Sequence, residues 1–294
     1  MSYHYNYGKF TVICSRDYGY FALLQNNNTY LLYMKRFMSF ICVAFLTISC
    51  GDEKKNNEDA QTAETTAVVF ETEYYEKESD VNCKDKCPGV SIEVPVAEGG
   101  TVAGDSINRK LFNTVRNIVY FGEKPYNASN YDDLMTSFLD SYEELRKDFP
   151  NEALGWEAKI DAEVTYSTDS LLNITLEHYT YTGGAHGYAG NRSLLFDPQT
   201  GKSLSYEDVF TNVKEFTDYA EVKFREKFNI PANRAINSTG LLFEDEVYAL
   251  PLNIFFQENG LLLYYNAYEI ASYAEQEKEL LIPYSEADKY LKRK

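Results

Sequence analysis

Hydrophobic and polar positions in the first half of the chain repeat with two different periods, and each period predicts one kind of element. Residues 90–96 alternate with period two, which is typical of a strand, and Pro95 favours an edge or an end of that strand. Helical spacing follows twice. The apolar positions with this spacing are Ile107, Leu111, Val115, Ile118 and Val119 in the first predicted helix, and Leu134, Phe138, Tyr142 and Leu145 in the second.

A predicted hairpin follows the two helices, and further predicted strands and helices follow the hairpin. Residues 156–166 and 172–176 alternate around a turn at Thr168-Asp169. Because strands and helices come in separate runs, we predict an α+β fold of antiparallel sheets with helices packed on one face, in two successive subdomains. The later predicted elements are a strand at 193–196, a turn at 197–201, a helix over 204–228 opened by a capping box of Ser205 and Asp208, a hairpin around Asn259-Gly260, and a strand at 280–284 before a closing helix.

Residues 34–50 have the order of an export signal. Lys35 and Arg36 precede an apolar run that is too short to span a bilayer, and Ser49-Cys50-Gly51 follows it. This order resembles a lipoprotein signal, in which the cysteine is lipidated and becomes the mature N-terminus. We therefore predict that Cys50 carries a lipid and anchors the exported protein to the bacterial cell envelope, facing the periplasm or the cell surface.

The segments on either side of this signal are predicted to lack structure. Residues 1–33 do not resemble any part of an export signal, so we take Met34 as the true start and treat residues 1–33 as an over-extended start that is not structured. Residues 51–82 are rich in Lys, Asn, Glu, Thr and Ala. Such a composition buries too little apolar area to offset chain entropy, so we predict a disordered acidic tether there.

The net charge of the chain limits the kinds of molecule that it is expected to bind. From Gly51 onward the chain has 24 basic and 44 acidic residues, a net charge of −20. Nucleic acid is excluded, because binding phosphates needs clusters of Lys and Arg. A basic protein would be attracted and its association accelerated, while the alternative is that the acidity only keeps the protein soluble.

Few residues of the exported part are suited to catalysis. Cys83 and Cys87 lie close together in an exported chain, which favours a disulfide over a metal site, because two further zinc ligands are lacking nearby. His178 shares the apolar register of a strand, which is typical of a hydrogen-bonded core histidine. His186 lies among Gly183, Gly184 and Gly187, where it acts as a general base or, in the reading we favour, locks a tight turn.

Several motifs in the folded part resemble one known family. They are Tyr181-Thr182-Gly183-Gly184-Ala185-His186-Gly187, residues 196–202, residues 204–210, residues 268–274 and Leu281-Ile282-Pro283-Tyr284. Their order is similar to that of the paired domains of unknown function in the extracellular part of the anti-sigma factor RsiV, which also precede the catalytic domain of the peptidoglycan deacetylase PdaC. The resemblance implies a PdaC-type α+β domain over 83–187 and an RsiV-type α+β domain over 188–294.

The resemblance also implies a receptor, since the RsiV domain binds lysozyme, a basic enzyme. We therefore expect a non-catalytic envelope lipoprotein that binds a protein or cell-wall ligand, either a basic protein such as lysozyme or peptidoglycan, without a cofactor or metal. The ligand-binding candidates are Gly183, Gly184, His186 and Gly187. The alternative is a glycan-acting hydrolase or esterase that uses carboxylates or His186. A pocket converging on His186 with two acids would favour the enzyme, and a broad acidic, Tyr-lined face would favour protein binding.

Overall fold

The computed structural model describes residues 68–80, 87–122, 126–149 and 155–294, together with the backbone of three strands near the N-terminus. These three strands belong to a separate unit, residues 1–61, and pair antiparallel in the order β1 (Ser2–Tyr7), β2 (Phe10–Ser15) and β3 (Phe21–Gln25). The prediction that residues 1–33 lack structure is wrong for these strands, whose aromatic and β-branched residues favour extended backbone. The start at Met34 stays a prediction, and the predicted signal with Cys50 lies outside the described residues.

The second unit, residues 62–294, contains a five-stranded sheet with strand order β4-β5-β6-β7-β8. All its neighbouring strands are antiparallel except β5 and β6, which are parallel. The prediction of purely antiparallel sheets is wrong for this pair. Two helices separate β5 from β6 in the sequence, and a long crossover of this kind is what a parallel pair requires. The elements are β4 (Phe70–Glu78), β5 (Gly89–Ala97), α1 (Val102–Val119), α2 (Tyr131–Asp148), β6 (Glu157–Ser167), β7 (Leu172–Tyr181) and β8 (Tyr188–Phe196).

Strand β4 corrects the predicted tether of residues 51–82. It pairs with β5 along its whole length, from Phe70 opposite Ala97 to Glu78 opposite Gly89. Its composition is that of a protected edge, because exposed charged residues on an outer strand discourage pairing with another chain. The same composition is typical of a disordered tether, which is why the sequence pattern did not reveal the strand.

Helices α1 and α2 cover one face of this sheet, as their apolar stripes predict. Thr101 caps α1 by accepting a hydrogen bond from the Gly104 N–H, and Asn130 caps α2 in the same way through the Asp133 N–H. Asp105 lies in the first turn of α1, where a negative charge suits the helix dipole. Trp156, the residue before β6, is buried beside Phe138 and Tyr142 of α2.

The C-terminal subdomain has a three-stranded antiparallel sheet of order β11-β10-β9 with helix α4 packed against it. The predicted helix over 204–228 is in fact two helices, because Phe210 leaves the helix and Asn212 opens a new one by accepting from the Glu215 N–H. The predicted capping box of Ser205 and Asp208 is confirmed. The elements are α3 (Tyr206–Val209), α4 (Val213–Lys227), β9 (Asn253–Gln257), β10 (Gly260–Tyr265), β11 (Lys278–Pro283), α5 (Tyr284–Ala287) and short 3₁₀ turns at Ile236–Thr239, Glu244–Glu246, Tyr273–Glu275 and Asp288–Tyr290.

Buried asparagines join the two subdomains along the outer edge of β8. The Asn191 N–H donates to Asn266 Oδ1 at 2.7 Å, and the Asn266 amide donates back to the Asn191 carbonyl at 3.0 Å. Two residues further, the Ser193 N–H donates to Asn253 Oδ1 at 3.0 Å. The amide side chains thus make hydrogen bonds to backbone groups at the edge of β8, which would otherwise be open to pairing with another strand.

Asn173 on β7 adds a third link between the subdomains. It is fully buried, and its Oδ1 accepts from the Phe256 N–H at 2.9 Å. Because β8 pairs with β7 throughout, the first sheet continues to Phe196, and the predicted division at 187/188 separates one strand from its sheet. The α+β fold with two successive subdomains is otherwise confirmed. None of the helices in the described part of the chain is long and apolar enough to cross a membrane.

Candidate functional site

A straight row of polar side chains crosses the face of the five-stranded sheet that is opposite the helices. Strand register places Tyr74 opposite Glu93, Glu93 opposite Asp161, Asp161 opposite Glu177 and Glu177 opposite Asn191. The three carboxylates are exposed, and Tyr74 is 60% exposed. We call these five residues the acidic row.

The carboxylates of the acidic row are not neutralised. Within the described ranges, none of Glu93, Asp161 and Glu177 has an ion pair. Like charges directly opposite each other on neighbouring strands destabilise a sheet, so this arrangement does not serve stability. It produces a negative potential across an open, flat surface.

The glycine-rich segment after β7 forms an exposed turn. Gly183 and Gly184 have φ of 105° and 90°, the left-handed region that glycine adopts without strain, as the sequence pattern predicts. Gly187 does not have a positive φ. A Cβ at residue 187 would lie 2.4 Å from the Tyr179 ring, so glycine is needed here because the ring leaves no space for a side chain.

His186 at the tip of this turn contacts one carbonyl group and one ring. Its Nδ1 lies 2.9 Å from the Gly187 carbonyl, and its imidazole stacks on the Tyr273 ring with centroids 4.2 Å apart and planes 8° apart. A cavity of about 310 Å³ lies elsewhere, between β8 and the segment before β9, and His186 is not among its lining residues. The His186 contacts agree with a structural role in the turn.

Tyr273 belongs to a row of near-parallel rings that includes residues of both subdomains. Its ring stacks on Tyr268 with centroids 5.4 Å apart, and Tyr268 faces Tyr188 with centroids 6.5 Å apart and planes 28° apart. Tyr268 is 57% exposed and Tyr273 is 40% exposed. We call His186, Tyr273, Tyr268 and Tyr188 the aromatic row.

Tyr268 has an unusual backbone. Its φ is 69°, a left-handed conformation that costs a non-glycine residue on the order of 1 kcal/mol or more. The side chain of the next residue, Glu269, holds this conformation. Its two carboxylate oxygens accept hydrogen bonds from the Leu252 N–H at 2.7 Å and from the Asn266 N–H at 3.0 Å. An exposed aromatic ring held at this cost is typical of a recognition surface.

His178 lies beneath the aromatic row. Its ring centroid is 5.7 Å from that of Tyr188, and the residue is buried, as its apolar register predicts. The expected hydrogen bond is not formed, because neither ring nitrogen has a partner among the described residues. Burial lowers the pKa of the imidazole from 6.5 to about 4, and the charge of Arg192 lowers it further in the same direction.

His178 should therefore make the fold sensitive to acid. Below pH 6.5 the unfolded chain takes up a proton that the folded chain excludes, so stability is lost as pH falls from 6.5 towards about 4. We expect the difference in unfolding free energy between wild type and His178→Leu to change by roughly 2–3 kcal/mol between pH 7 and pH 4.5, in favour of the variant. Urea denaturation at several pH values measures it, and parallel pH profiles of the two proteins would contradict the assignment.

Two families match successive parts of the chain. The family described as Deacetylase PdaC matches residues 81–189, and the family described as Protein of unknown function (DUF3298) matches residues 207–285. The two matches lie in tandem along this chain. A comparison with curated proteins gives no match.

Solved structures share this paired fold. A DUF3298 family protein from Pseudomonas aeruginosa PAO1 is similar with a TM-score of 0.55 and 21% identity over 76% of this chain and 94% of its own. A member of the same family from Bacteroides fragilis NCTC 9343 has a TM-score of 0.55 and 20% identity over the same shares of the two chains. At these identities the likeness concerns the fold alone.

The two candidate surfaces divide differently between the matched domains. Glu93, Asp161 and Glu177 of the acidic row all lie in the PdaC domain. The aromatic row combines His186 and Tyr188, within the range matched to PdaC, with two tyrosines within the range matched to DUF3298. Among the described residues, no group of three or more His, Cys, Asp or Glu could hold a metal ion.

The sequence revealed only part of this site. The predicted candidates Gly183, Gly184 and His186 lie together at one end of the aromatic row. Tyr268 and Tyr273 were recognised as part of a motif, but no pattern indicated that they would meet a turn more than 80 residues earlier. The acidic row was missed for a similar reason, because strand pairing rather than spacing aligns its members.

Proposed function

We propose that this chain is a non-catalytic envelope lipoprotein that binds a cationic protein through the acidic row, with a lysozyme-like hydrolase as the partner that the family resemblance suggests. The observation that carries the proposal is the line of Glu93, Asp161 and Glu177 across neighbouring strands on an exposed face. Three unpaired carboxylates in register are destabilising by themselves. A cationic partner relieves that repulsion on binding.

The surroundings of the row support the same partner chemistry. Glu163 is exposed on the same face of β6, and Lys159 is the one basic residue of that strand. A surface with charges of one sign attracts an oppositely charged protein and raises its association rate by about 10- to 1000-fold at low salt. An exposed sheet face suits a protein surface better than a small substrate, because small ligands bind in enclosed clefts.

The proposal is tested by binding of the full chain to lysozyme and to lysozyme whose lysines have been acetylated. Acetylation removes the positive charges of the lysines and leaves those of the arginines in place. We expect binding to native lysozyme at low salt and at least about tenfold weaker binding to the acetylated protein. Equal affinity for both, or binding to neither, would contradict the proposal.

The lipid anchor is part of the proposal. Cys50 follows a basic pair and an apolar run, the order typical of a lipoprotein signal. We expect wild-type protein to partition into the detergent phase and Cys50→Ala to remain in the aqueous phase. A Cys50→Ala protein that still enters the detergent phase would contradict lipidation, while Cys42→Ala is a matched control within the same segment.

We also propose that Cys83 and Cys87 form a disulfide. Cys87 lies two residues before the start of β5, and Cys83 lies outside the described residues. The support is the closeness of two cysteines in an exported chain. Alkylation of the unfolded protein without reductant should leave both residues unlabelled, and labelling of either would contradict the bridge.

A further inference from the structure

The three-stranded sheet is seated on the face of the five-stranded sheet that carries the acidic row. Its edge strand β9 contacts β6, β7 and β8. Asn173 lies on the same face of β7 as Glu177, because side chains alternate along a strand, and its Oδ1 accepts from the Phe256 N–H at 2.9 Å. Since an edge strand makes these contacts, the second sheet rises from the first, and the two sheets form a corner beside the acidic row.

The wall of this corner carries apolar side chains. Strand register places Leu262 opposite both Phe255 and Leu281, so each strand of the three-stranded sheet contributes one residue to this face. Helix α4 packs against the other face, where Leu261 and Leu263 belong to the core. Phe255 is buried, Leu262 is half-buried and Leu281 is 38% exposed, and none of the three packs into a hydrophobic core of the described residues. We call these three residues the apolar stripe.

Carboxylates border the apolar stripe on the side of the acidic row. Tyr264 and Glu279 face each other on the same face, two residues along from the stripe, and the Tyr264 hydroxyl is hydrogen-bonded to Asn191 of the acidic row. Burial raises the pKa of Tyr264, and the negative charges of Glu277, Glu279 and Glu177 raise it further. Within the described ranges none of these three carboxylates has an ion pair. The corner therefore has one acidic side and one apolar side.

We infer that the corner between the acidic row and the apolar stripe binds an amphipathic cationic helix of the partner. The inference rests on the proposed function and specifies the element that the acidic row recognises. Successive side chains leave a helix about 100° apart, so one helix directs basic side chains to one side of a corner and apolar side chains to the adjoining side. A strand directs its side chains to two opposite faces, so it does not contact two adjoining sides in this way.

The dimensions of the corner suit one helix. Three neighbouring strands span about 10 Å, both across the apolar stripe and across Glu93, Asp161 and Glu177. A helix with its side chains has a diameter of about 10–12 Å. The two sides have different effects on binding, because exposed charge acts mainly on the association rate and buried apolar contacts act mainly on the dissociation rate.

The test compares two peptides of about 18 residues that have the same composition of leucine and lysine. In the first peptide the leucines form one helical stripe, and in the second they are distributed around the helix. We expect the full wild-type chain to bind the striped peptide at least about fivefold more tightly at low salt, and Leu281→Thr to reduce that difference to less than about twofold. Threonine preserves the strand preference, and Leu281→Met, which keeps an apolar side chain, should retain the difference.

Two further variants separate the corner from other apolar surfaces and from a loss of folding. Val222→Thr is the matched control, because Val222 is 53% exposed on α4, which covers the opposite face of the three-stranded sheet, and the preference should persist. Glu279→Lys changes an exposed residue of the wall, so the fold should be kept. Its positive charge should weaken binding of the striped peptide at least about fivefold, and unchanged affinity would overturn the proposed position of the helix.

The outcomes distinguish the corner from the proposed function. If both peptides bind equally, or if Leu281→Thr and Val222→Thr have the same effect, the corner is wrong while the cationic partner stands. If neither peptide binds at low salt, both ideas are wrong. A concentration-dependent dimer of the full chain that Leu281→Thr abolishes would assign the apolar stripe to a second copy of the chain and overturn the helix.

Discussion

Changing Gly260 to Ala is expected to lower the free energy of unfolding by more than about 3 kcal/mol. Gly260 is the first residue of β10, and a Cβ there would lie 2.3 Å from the Ile282 carbonyl oxygen and 2.9 Å from Pro283 Cα. These are backbone atoms of β11, which cannot rotate away as a side chain can. Relief of the clash requires β10 and β11 to separate, and that would disrupt a buried sheet.

Glu258→Ala is the control for this prediction. Glu258 is exposed in the turn between β9 and β10, two residues from Gly260, and its replacement should change stability by less than about 0.5 kcal/mol. Urea denaturation followed by circular dichroism measures both variants. A Gly260→Ala protein as stable as Glu258→Ala would show that β11 does not approach β10 as closely as described.

Neutralising the acidic row is expected to raise stability and slow association at the same time. Asp161 lies directly opposite both Glu93 and Glu177, and each repulsive pair costs on the order of 0.2–1 kcal/mol. Asp161→Asn removes both repulsions, so we expect a more stable protein. The triple variant Glu93→Gln, Asp161→Asn, Glu177→Gln should associate with lysozyme about tenfold more slowly at low salt.

A matched triple variant separates the acidic row from net charge. Asp140→Asn, Glu144→Gln and Asp148→Asn remove the same number of charges from exposed positions of α2, on the side of the sheet opposite the acidic row. We expect this control to slow association less than about twofold. If the two triple variants behave alike, total charge rather than the acidic row governs binding.

Periodicity was sufficient for elements whose buried face is continuous. The stripes of α1 and α2 and the alternation of β6 and β7 correspond to residues that are buried or half-buried in the structure, and the capping box of Ser205 and Asp208 begins α3 as expected. Local signals work here because one helix turn or one strand contains the whole pattern. The Asn259-Gly260 hairpin was also found, although Gly260 is required for the close approach of β11 and lies just after the two-residue turn.

Features that depend on strand order or on distant segments were not predictable. The charged strand β4 reads as a tether until β5 is placed beside it, and the parallel pairing of β5 with β6 has no periodic signature. The positive φ of Tyr268 has no sequence signal either, since tyrosine rarely adopts it. The acidic row needs five strands aligned by the fold, and the aromatic row needs two segments that are distant in the sequence. Composition therefore indicated acidity but not its location.

The most direct test of the central claim is the association rate of lysozyme with the full chain, measured by stopped flow between 25 mM and about 1 M salt. Exposed charges are screened over about 8 Å at physiological salt and about 3 Å at 1 M. We predict a steep fall in the association rate of wild type with rising salt, a much shallower fall for the triple variant of Glu93, Asp161 and Glu177, and a wild-type slope for the α2 control. An association rate of wild type that does not vary with salt would contradict electrostatic recognition by the acidic row.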